Sequence, residues 1–339
     1  MFKNEKYYSL FSIWLISLIL LVALIIIVGG LTRLTDSGLS ITEWEVFKGV
    51  LPPLNQDDWD KYFLAYKSIP QYIYLNSSMS LDEFKFIFFW EYFHRMLGRI
   101  IGLFFFLPFI FLLLRGALNN YLKSRLVAIS LLILLQGLIG WYMVKSGLVE
   151  NVSVSHYRLS LHLLTAFIIF SSLIWIYMNH YFEKKVKFFH IRTEYFFLKI
   201  LIFLIFLQIV IGAFVSGLDA GKIYQTWPLM NGAYFPDDSI SDNLFNFNKP
   251  SIVQFLHRNI AYIIFVISLY SGIYIYRNRI KELYYSYIFF ILFIGLQIIL
   301  GILILYTNVN IYIASLHQIS SIFLIISSLN LYYQAIRSD

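Results

Sequence analysis

Eight apolar runs, each long enough to cross a lipid bilayer, set the strongest constraint on how this 339-residue chain can fold. A membrane-spanning helix needs about 20 consecutive apolar residues. The runs lie at about 9–29, 86–114, 126–144, 159–179, 196–215, 252–276, 284–305 and 311–333. Only 13% of the residues are charged, about half the share in a soluble domain. The sequence therefore predicts an all-α integral membrane protein with eight transmembrane helices, and it argues against a soluble enzyme or a disordered chain.

The charges between these runs predict the orientation of the chain. The termini and the links at 115–125, 180–199 and 277–282 hold 14 Lys and Arg against 5 Asp and Glu, whereas the alternate segments hold 9 against 13. Because basic segments stay in the cytoplasm, both termini are predicted to be cytoplasmic. The long loops 31–85 and 216–250 then lie on the periplasmic side of a bacterial inner membrane. This sorting accounts for the net charge of +7, so no nucleic-acid partner is expected.

A few charged side chains fall inside the spans, namely Glu91, Arg95, Arg99 and Arg258. Charges in hydrocarbon are costly and usually mark function. Each one alone could instead reach the membrane surface or form a structural pair. Three of them share one helical stretch with a histidine, which favours a functional role. The absence of cysteine excludes disulfides and thiolate metal sites.

Several motifs occur twice along the chain. Asp36-x-Gly38 with Trp44 matches Asp219-x-Gly221 with Trp227, Glu91-x-x-His94-Arg95 matches Gln254-x-x-His257-Arg258, and Leu161-His162 matches Leu316-His317. The repetition predicts two four-helix bundles, residues 1–180 and 181–339, in a parallel repeat about an axis along the membrane normal. A weaker Gln-x-x-x-Gly pattern occurs at Gln136/Gly140, Gln208/Gly212 and Gln297/Gly301, where small residues let helices approach closely.

Four histidines are predicted at one depth in the membrane, two in each repeat. They are His94, His162, His257 and His317, each roughly 8–13 Å below the outer interface at 1.5 Å per residue. Histidine pairs on facing helices suit axial ligation of a haem. Zinc is disfavoured because only Glu91 offers a further ligand, while a quinone site or a proton relay stays open. His156, His180 and His190 are expected to lie at the surface.

The two predicted haem sites differ beside the ligands. Glu91 lies one helical turn before His94, and Gln254 takes the same position before His257. A carboxylate can move a proton or stabilise a developing cation, whereas Gln can only hydrogen-bond. The first repeat is therefore interpreted as the reacting site and the second as an electron-transfer site. Arginines are candidates for contacts with haem propionates: Arg95 and Arg258 first, with Arg33 and Arg158 as weaker candidates.

These motifs resemble those of the haem A synthase family over nearly the whole chain. The matching segments are Gly29-Gly30-Leu31-Thr32-Arg33-Leu34-Thr35-Asp36-Ser37-Gly38-Leu39-Ser40 with Trp44 and Pro52-Pro53, Glu91-x-x-His94-Arg95-x-x-Gly98, Tyr157-Arg158-Leu159-Ser160-Leu161-His162, Gln254-x-x-His257-Arg258 and Leu316-His317. The first outer loop has no cysteine pair, so the chain is similar to the cysteine-free class of alphaproteobacteria and mitochondria.

The resemblance implies a reaction and different roles for the two histidine pairs. Haem O would be oxidised at one methyl group, by successive hydroxylations, to the formyl group of haem A, which serves terminal oxidases. It implies that His257 and His317 bind a haem b cofactor, that His94 and His162 hold the substrate or product haem, and that Glu91 is needed for the chemistry. The haem O-forming farnesyltransferase is the expected upstream partner, and membrane lipid is expected around the spans. The residues identify no electron acceptor.

Two other classes of protein compete with an enzyme. A two-haem membrane cytochrome that exchanges electrons with quinone would have equivalent ligand pairs, which the Glu91/Gln254 difference disfavours. A transporter would show broken helices near the midplane and inverted halves, and the sequence shows neither.

Overall fold

A computed structural model describes residues 7–43, 48–148, 152–189, 194–240 and 243–337. Within these residues there are ten α-helices: α1 (Tyr8–Leu34), α2 (Gln56–Lys67), α3 (Pro70–Leu75), α4 (Leu81–Leu114), α5 (Asn120–Gly147), α6 (His156–Tyr181), α7 (Phe196–Gly217), α8 (Pro250–Arg277), α9 (Tyr284–Tyr306) and α10 (Ile311–Arg337). Eight of them are long and apolar enough to cross a membrane, which confirms the predicted fold class. Trp44 and His190 lie outside the described residues.

The first outer loop contains two helices, α2 and α3, that the apolar pattern did not predict. Their start signals are local: the Asn55 side chain accepts a hydrogen bond from Asp58 N at 2.8 Å, and Pro70 occupies the first position of α3. Both helices are too short to appear as apolar runs, so a search for bilayer-length segments passes over them.

Helix α2 also explains why α4 starts before the predicted position 86. The ring of Trp59 packs on Phe88 with centroids 5.1 Å apart, and Phe63 stacks on Phe84 at 5.0 Å. The first turns of α4 therefore bury an aromatic face that begins before the predicted span. Ser80 closes the helix start with a capping box.

The chain divides into two compact units, Met1–Ile169 and Phe170–Asp339. In the first unit, α1 packs along α4. Trp14 Nε1 donates a hydrogen bond to the Phe104 carbonyl oxygen at 2.8 Å, and Thr32 Oγ1 donates to the Trp90 carbonyl oxygen at 3.3 Å. These bonds join the two helices near opposite ends, so α1 and α4 have a fixed register.

In the second unit, α7 to α10 form a closed set in which each helix packs on the next and α10 returns to α7. Gly272 on α8 shows how closely α8 and α9 approach. A Cβ at Gly272 would overlap the Tyr287 hydroxyl, and that hydroxyl donates to the Ser268 carbonyl oxygen at 3.1 Å. The small residue gives space for a buried interhelical hydrogen bond.

The expectation that His180 lies at the surface is wrong. His180 is only 1% exposed, because the chain after α6 turns back over the end of that helix. The Asn179 side chain accepts from Val186 N at 2.8 Å and donates to the Val186 carbonyl oxygen at 3.2 Å. Trp175 packs against Tyr333 with ring centroids 5.2 Å apart. The basic link therefore folds over the helix end and buries His180.

Candidate functional site

Each of the four predicted histidines lies against a glycine of the long helix before it. A Cβ at Gly29 would lie 3.1 Å from His94 Nε2, and Cβ atoms at Gly140, Gly212 and Gly301 would lie 3.0, 3.1 and 3.5 Å from Cε1 of His162, His257 and His317. Three of these glycines lie five residues before the helix end, and Gly140 lies seven before it. The four imidazoles therefore contact the preceding helices at similar positions.

In the first unit, the imidazoles of His94 and His162 lie next to each other. Their ring centroids are 6.3 Å apart, and the ring planes are inclined by 58°. An imidazole nitrogen binds a metal ion at about 2 Å with the ring centroid about 1 Å behind it, so two such rings across one ion have centroids about 6 Å apart. The pair has the separation that two axial ligands of a haem iron require.

In the second unit, His257 and His317 lie against Gly212 and Gly301, as His162 lies against Gly140. Nδ1 of these two residues and of His162 is buried without a hydrogen-bond partner among the described residues. Buried polar atoms normally have partners, so these rings are suited to a site completed by a further group. Neutral imidazoles in a thiolate-free helical bundle fit haem iron by the chemistry of their donor atoms.

The Gln-x-x-x-Gly pattern has a direct structural role beside three of the histidines. Gln136 Nε2 donates to the His162 carbonyl oxygen at 3.0 Å and lies 3.3 Å from His162 Nε2. Gln208 repeats both contacts with His257, at 2.9 and 3.3 Å. Gln297 Nε2 donates to the His317 carbonyl oxygen at 2.8 Å. The sequence pattern predicted only close packing, and the function of the glutamine was missed.

Glu91 is 3% exposed, and its carboxylate accepts hydrogen bonds from three groups. Oε2 accepts from Ser40 Oγ at 2.7 Å and from Ile41 N at 2.8 Å, while Oε1 accepts from Arg95 Nη2 at 2.6 Å. Three donors, one of them a cation, suit an ionised carboxylate. Glu91 therefore holds a fixed negative charge and also docks the start of the first outer loop onto α4.

The second unit contains the corresponding contacts without the carboxylate. Gln254 Nε2 and Arg258 Nη2 each donate to the Tyr224 carbonyl oxygen at 2.9 Å. Tyr224 follows Asp219 by five residues, as Ile41 follows Asp36, and Arg95 Nη2 likewise donates to the Ile41 carbonyl oxygen at 3.0 Å. The outer loop is bound to the histidine-bearing helix in both units. Glu91 accepts a hydrogen bond from the loop main chain, whereas the uncharged Gln254 donates one to it.

The four arginines predicted near haem propionates have different surroundings. Arg95 and Arg258 bind loop carbonyl groups as described above. Arg33 pairs with Asp36 at 2.7 Å, and Arg158 lies over the Tyr142 ring, 4.6 Å from its centroid. A propionate contact by any of them stays a prediction, and each has a protein partner already.

His156 was expected near the outer water boundary, and it lies at the first position of α6. Its side chain is 9% exposed, and its ring lies 4.1 Å from that of Tyr157. The residue is therefore buried at the helix start, and the expectation that it lies at the surface is wrong.

Sequence reasoning missed Ser40, Ile41 and Tyr224, which contact the Glu91 and Gln254 positions. Ser40 is part of the motif that begins at Gly29, but its sequence position gives no sign of a contact with Glu91. Ile41 and Tyr224 act through main-chain atoms, which leave no mark in the side-chain pattern. The one signal in the sequence was that Ile41 and Tyr224 follow the matching aspartates, Asp36 and Asp219, by the same number of residues.

Together, the fold and the paired histidines define an eight-span helical membrane protein with two unequal buried sites. The family model of the cytochrome oxidase assembly proteins, COX15-CtaA, matches residues 12–329, and the chain belongs to this family. The haem A synthase of Pelagibacter ubique is 48% identical, over 97% of this chain and 97% of that protein. The haem A synthases of Bradyrhizobium diazoefficiens and Maricaulis maris are 43% and 42% identical, over 90% and 93% of this chain and 86% and 93% of their own lengths.

Proposed function

We propose that this chain is a haem A synthase, an oxidoreductase that converts a methyl group of haem O to the formyl group of haem A by successive hydroxylations. One structural observation carries the proposal: His94 and His162 have ring centroids 6.3 Å apart, beside the buried carboxylate of Glu91. The 48% identity to a haem A synthase over 97% of both chains supports the same assignment. Its product would serve terminal oxidases.

The two sites would have separate roles. His94 and His162, within 1–180, would hold haem O as substrate, and Glu91 would present a fixed negative charge one turn from His94. His257 and His317, within 181–339, would hold a haem b cofactor. When bound, haem b supplies one-electron transfer. The uncharged Gln254 contact supports an electron-transfer role for this second site.

The proposal also covers the membrane in which the enzyme lies, its orientation and its upstream partner. The chain would lie in a bacterial inner membrane with loops 31–85 and 216–250 in the periplasm. The charge distribution supports this orientation. A haem O-forming farnesyltransferase would supply the substrate, so this haem O synthase is the proposed upstream partner.

The test is production of haem A in cells that do not otherwise make it. The full chain is expressed with a haem O-forming farnesyltransferase, and the extracted haems are separated by chromatography. We expect haem A only when both proteins are present. Unchanged haem O together with a normal b-type cytochrome spectrum would contradict the proposal and identify an electron-carrying cytochrome instead.

A further inference from the structure

Two buried donor atoms of α8 have no hydrogen-bond partner among the described residues: Nε of Arg258 and the hydroxyl oxygen of Tyr262. The two residues are four positions apart on one helix, so their side chains are neighbours on the same face. Arg258 directly follows His257 and is 9% exposed. Because buried polar atoms normally have a partner, this pair indicates that a further group binds beside the histidine.

The charge of Arg258 is also uncompensated, which distinguishes it from Arg95. In the first unit, Arg95 Nη2 pairs with the Glu91 carboxylate at 2.6 Å. In the second unit, the guanidinium donates only to main-chain carbonyl oxygens, those of Tyr224 at 2.9 Å and Leu229 at 3.3 Å. No carboxylate in the described part of the chain forms an ion pair with it. An unpaired charge is costly in a membrane span, so an anion suits this position.

The neighbouring side chains do not supply that anion. Asp237 and Asp238 of the second outer loop accept hydrogen bonds from the Tyr224 hydroxyl. Gln254 is uncharged, and its Nε2 donates to the Tyr224 carbonyl oxygen at 2.9 Å. Its Oε1 lacks a partner in the described part of the chain, and as a neutral acceptor it leaves the charge of Arg258 unbalanced.

We infer that Tyr262 is a cofactor-binding residue, and that its hydroxyl and Arg258 Nε donate to one propionate of haem b. The inference rests on the proposed function, in which the histidines of the second unit hold this haem. Both donors form charge-assisted hydrogen bonds with a carboxylate, and the propionate provides the counter-ion that Arg258 lacks. A quinone or lipid carbonyl group would satisfy the two hydrogen bonds and would leave the charge of the guanidinium unbalanced.

The comparison of the two units also gives Gln254 a role in selecting the ligand. In the first unit, Glu91 neutralises Arg95 from within the protein. A glutamate at position 254 would neutralise Arg258 in the same way and would compete with the propionate. The uncharged Gln254 therefore leaves Arg258 available to the cofactor, and it is a specificity-determining residue of the second unit.

The experiment compares two probes, haem b and its dimethyl ester, in which both propionates are uncharged. The full-length chain with His94→Ala and His162→Ala is purified without haem, so that only the second unit can ligate iron. Absorbance titration gives the Kd of each probe, and a bis-histidine low-spin spectrum identifies binding at the second unit. Hydrogen bonds to charged groups correspond to about 10–100-fold in affinity, so we expect the ester to bind this parent chain at least about tenfold more weakly than haem b.

Tyr262→Phe removes the hydroxyl and keeps the ring. It should weaken haem b binding by about tenfold and weaken ester binding less, because an ester carbonyl accepts only a neutral hydrogen bond. The ratio of the ester Kd to the haem b Kd should therefore fall. A loss of packing alone would weaken both probes equally, so an unchanged ratio would overturn the assignment of Tyr262.

Gln254→Glu tests the counter-ion, with Gln254→Ala as its matched control. Both variants lose the hydrogen bond to the Tyr224 carbonyl oxygen, and only the glutamate can pair with Arg258. We expect the two Kd values to become nearly equal in Gln254→Glu and to stay different in Gln254→Ala. If Tyr262→Phe binds neither probe, this pair of variants decides.

The outcomes separate the inference from the proposed function. Equal Kd ratios in Gln254→Glu and Gln254→Ala, or an ester that binds the parent chain as tightly as haem b, would overturn the inference and leave the haem b site in place. Binding of neither probe to the parent chain would refute the haem b site of the proposed function and the inference with it.

Discussion

The Glu91 carboxylate takes part in an ion pair and also holds the outer loop against α4. It binds Arg95 on the same helix and also Ser40 and Ile41 of the outer loop. Removing one partner of a buried ion pair is strongly destabilising, so the charge and the loop position depend on each other. Gln254 docks the second loop without any charge, which shows that docking alone does not require a carboxylate. The charge of Glu91 is therefore available for chemistry.

We expect Glu91→Gln to reduce haem A formation by about 10²–10³-fold, the usual effect of removing one electrostatic group from a reacting site. The amide keeps the size of the side chain, and its oxygen can still accept from Ser40 and Ile41. Haem b should be retained, because His257 and His317 belong to the other unit. Haem extraction and absorption spectra measure both quantities.

The matched control is Gln254→Ala, which removes the equivalent contact in the second unit. It should weaken haem b binding while the Glu91 site stays intact. Normal haem A production by Glu91→Gln would show that the carboxylate has no part in the reaction and serves the loop alone.

Ionisation of the Tyr224 hydroxyl should make the stability of the second outer loop depend on pH. Burial, together with the hydrogen bond to Asp237, raises the pKa of the Tyr224 hydroxyl to about 12, above the ordinary value of about 10. The protonated phenol is thus favoured in the folded loop, and its stabilising effect is complete below pH 10 and lost as the pH rises towards 12. Proteolysis of loop 216–250 should accelerate across this interval.

Tyr224→Phe provides the comparison for that measurement. The variant lacks the hydroxyl, so its loop should be cleaved faster at pH 8, with a smaller further increase between pH 10 and 12. Identical pH profiles for the two proteins would exclude Tyr224 as the titrating group.

At the scale of helices, one contact recurs four times: a histidine side chain lies against a glycine of the preceding long helix. The sequence predicted the long helices, because a bilayer-length apolar run is a local property of the chain. It also predicted the histidines, because they are rare polar residues in apolar runs. The contact of Gln136 with His162 could not be predicted, since it depends on how α5 is rotated against α6. The docking of Ile41 on Glu91 depends in the same way on where a loop folds back.

Gly140→Ala tests the importance of this close approach. A Cβ at Gly140 would lie 3.0 Å from His162 Cε1, so the imidazole must move, and haem retention in the first unit should fall about tenfold or more, as for other changes around a ligating histidine. Gly137→Ala is the matched control on the same helix, because a Cβ there has no heavy atom within 4 Å among the described residues.

The control should bind haem normally and be slightly more stable, by up to about 1 kcal/mol, because Ala is the better helix former. Haem content after purification and thermal unfolding monitor the two variants. Equal haem retention by Gly140→Ala and Gly137→Ala would show that the site tolerates the added methyl group.

At the scale of the whole molecule, the two halves share several contacts and differ in charge. In each half, histidine side chains lie against glycines of the preceding helices, and an arginine donates a hydrogen bond to a loop carbonyl group. The residue one turn before the first histidine also binds that loop. Such duplication fits two bundles that enter the membrane in the same direction. The parallel relation of the halves stays a prediction, and it has a consequence for topology: both long loops must lie on one side of the membrane.

The absence of cysteine makes this topology directly measurable, because a single introduced thiol is the only one in the chain. Ser78 in the first long loop, Lys222 in the second and Lys185 in the basic link are all exposed, so each can be replaced by Cys with little cost. A membrane-impermeant maleimide should label Ser78→Cys and Lys222→Cys in spheroplasts. Lys185→Cys should react only after the membrane is opened, because the basic link is retained in the cytoplasm. Labelling of Ser78→Cys and Lys222→Cys from opposite sides would instead show that an odd number of the four helices between them, α4 to α7, fails to cross the membrane, and it would contradict the predicted topology.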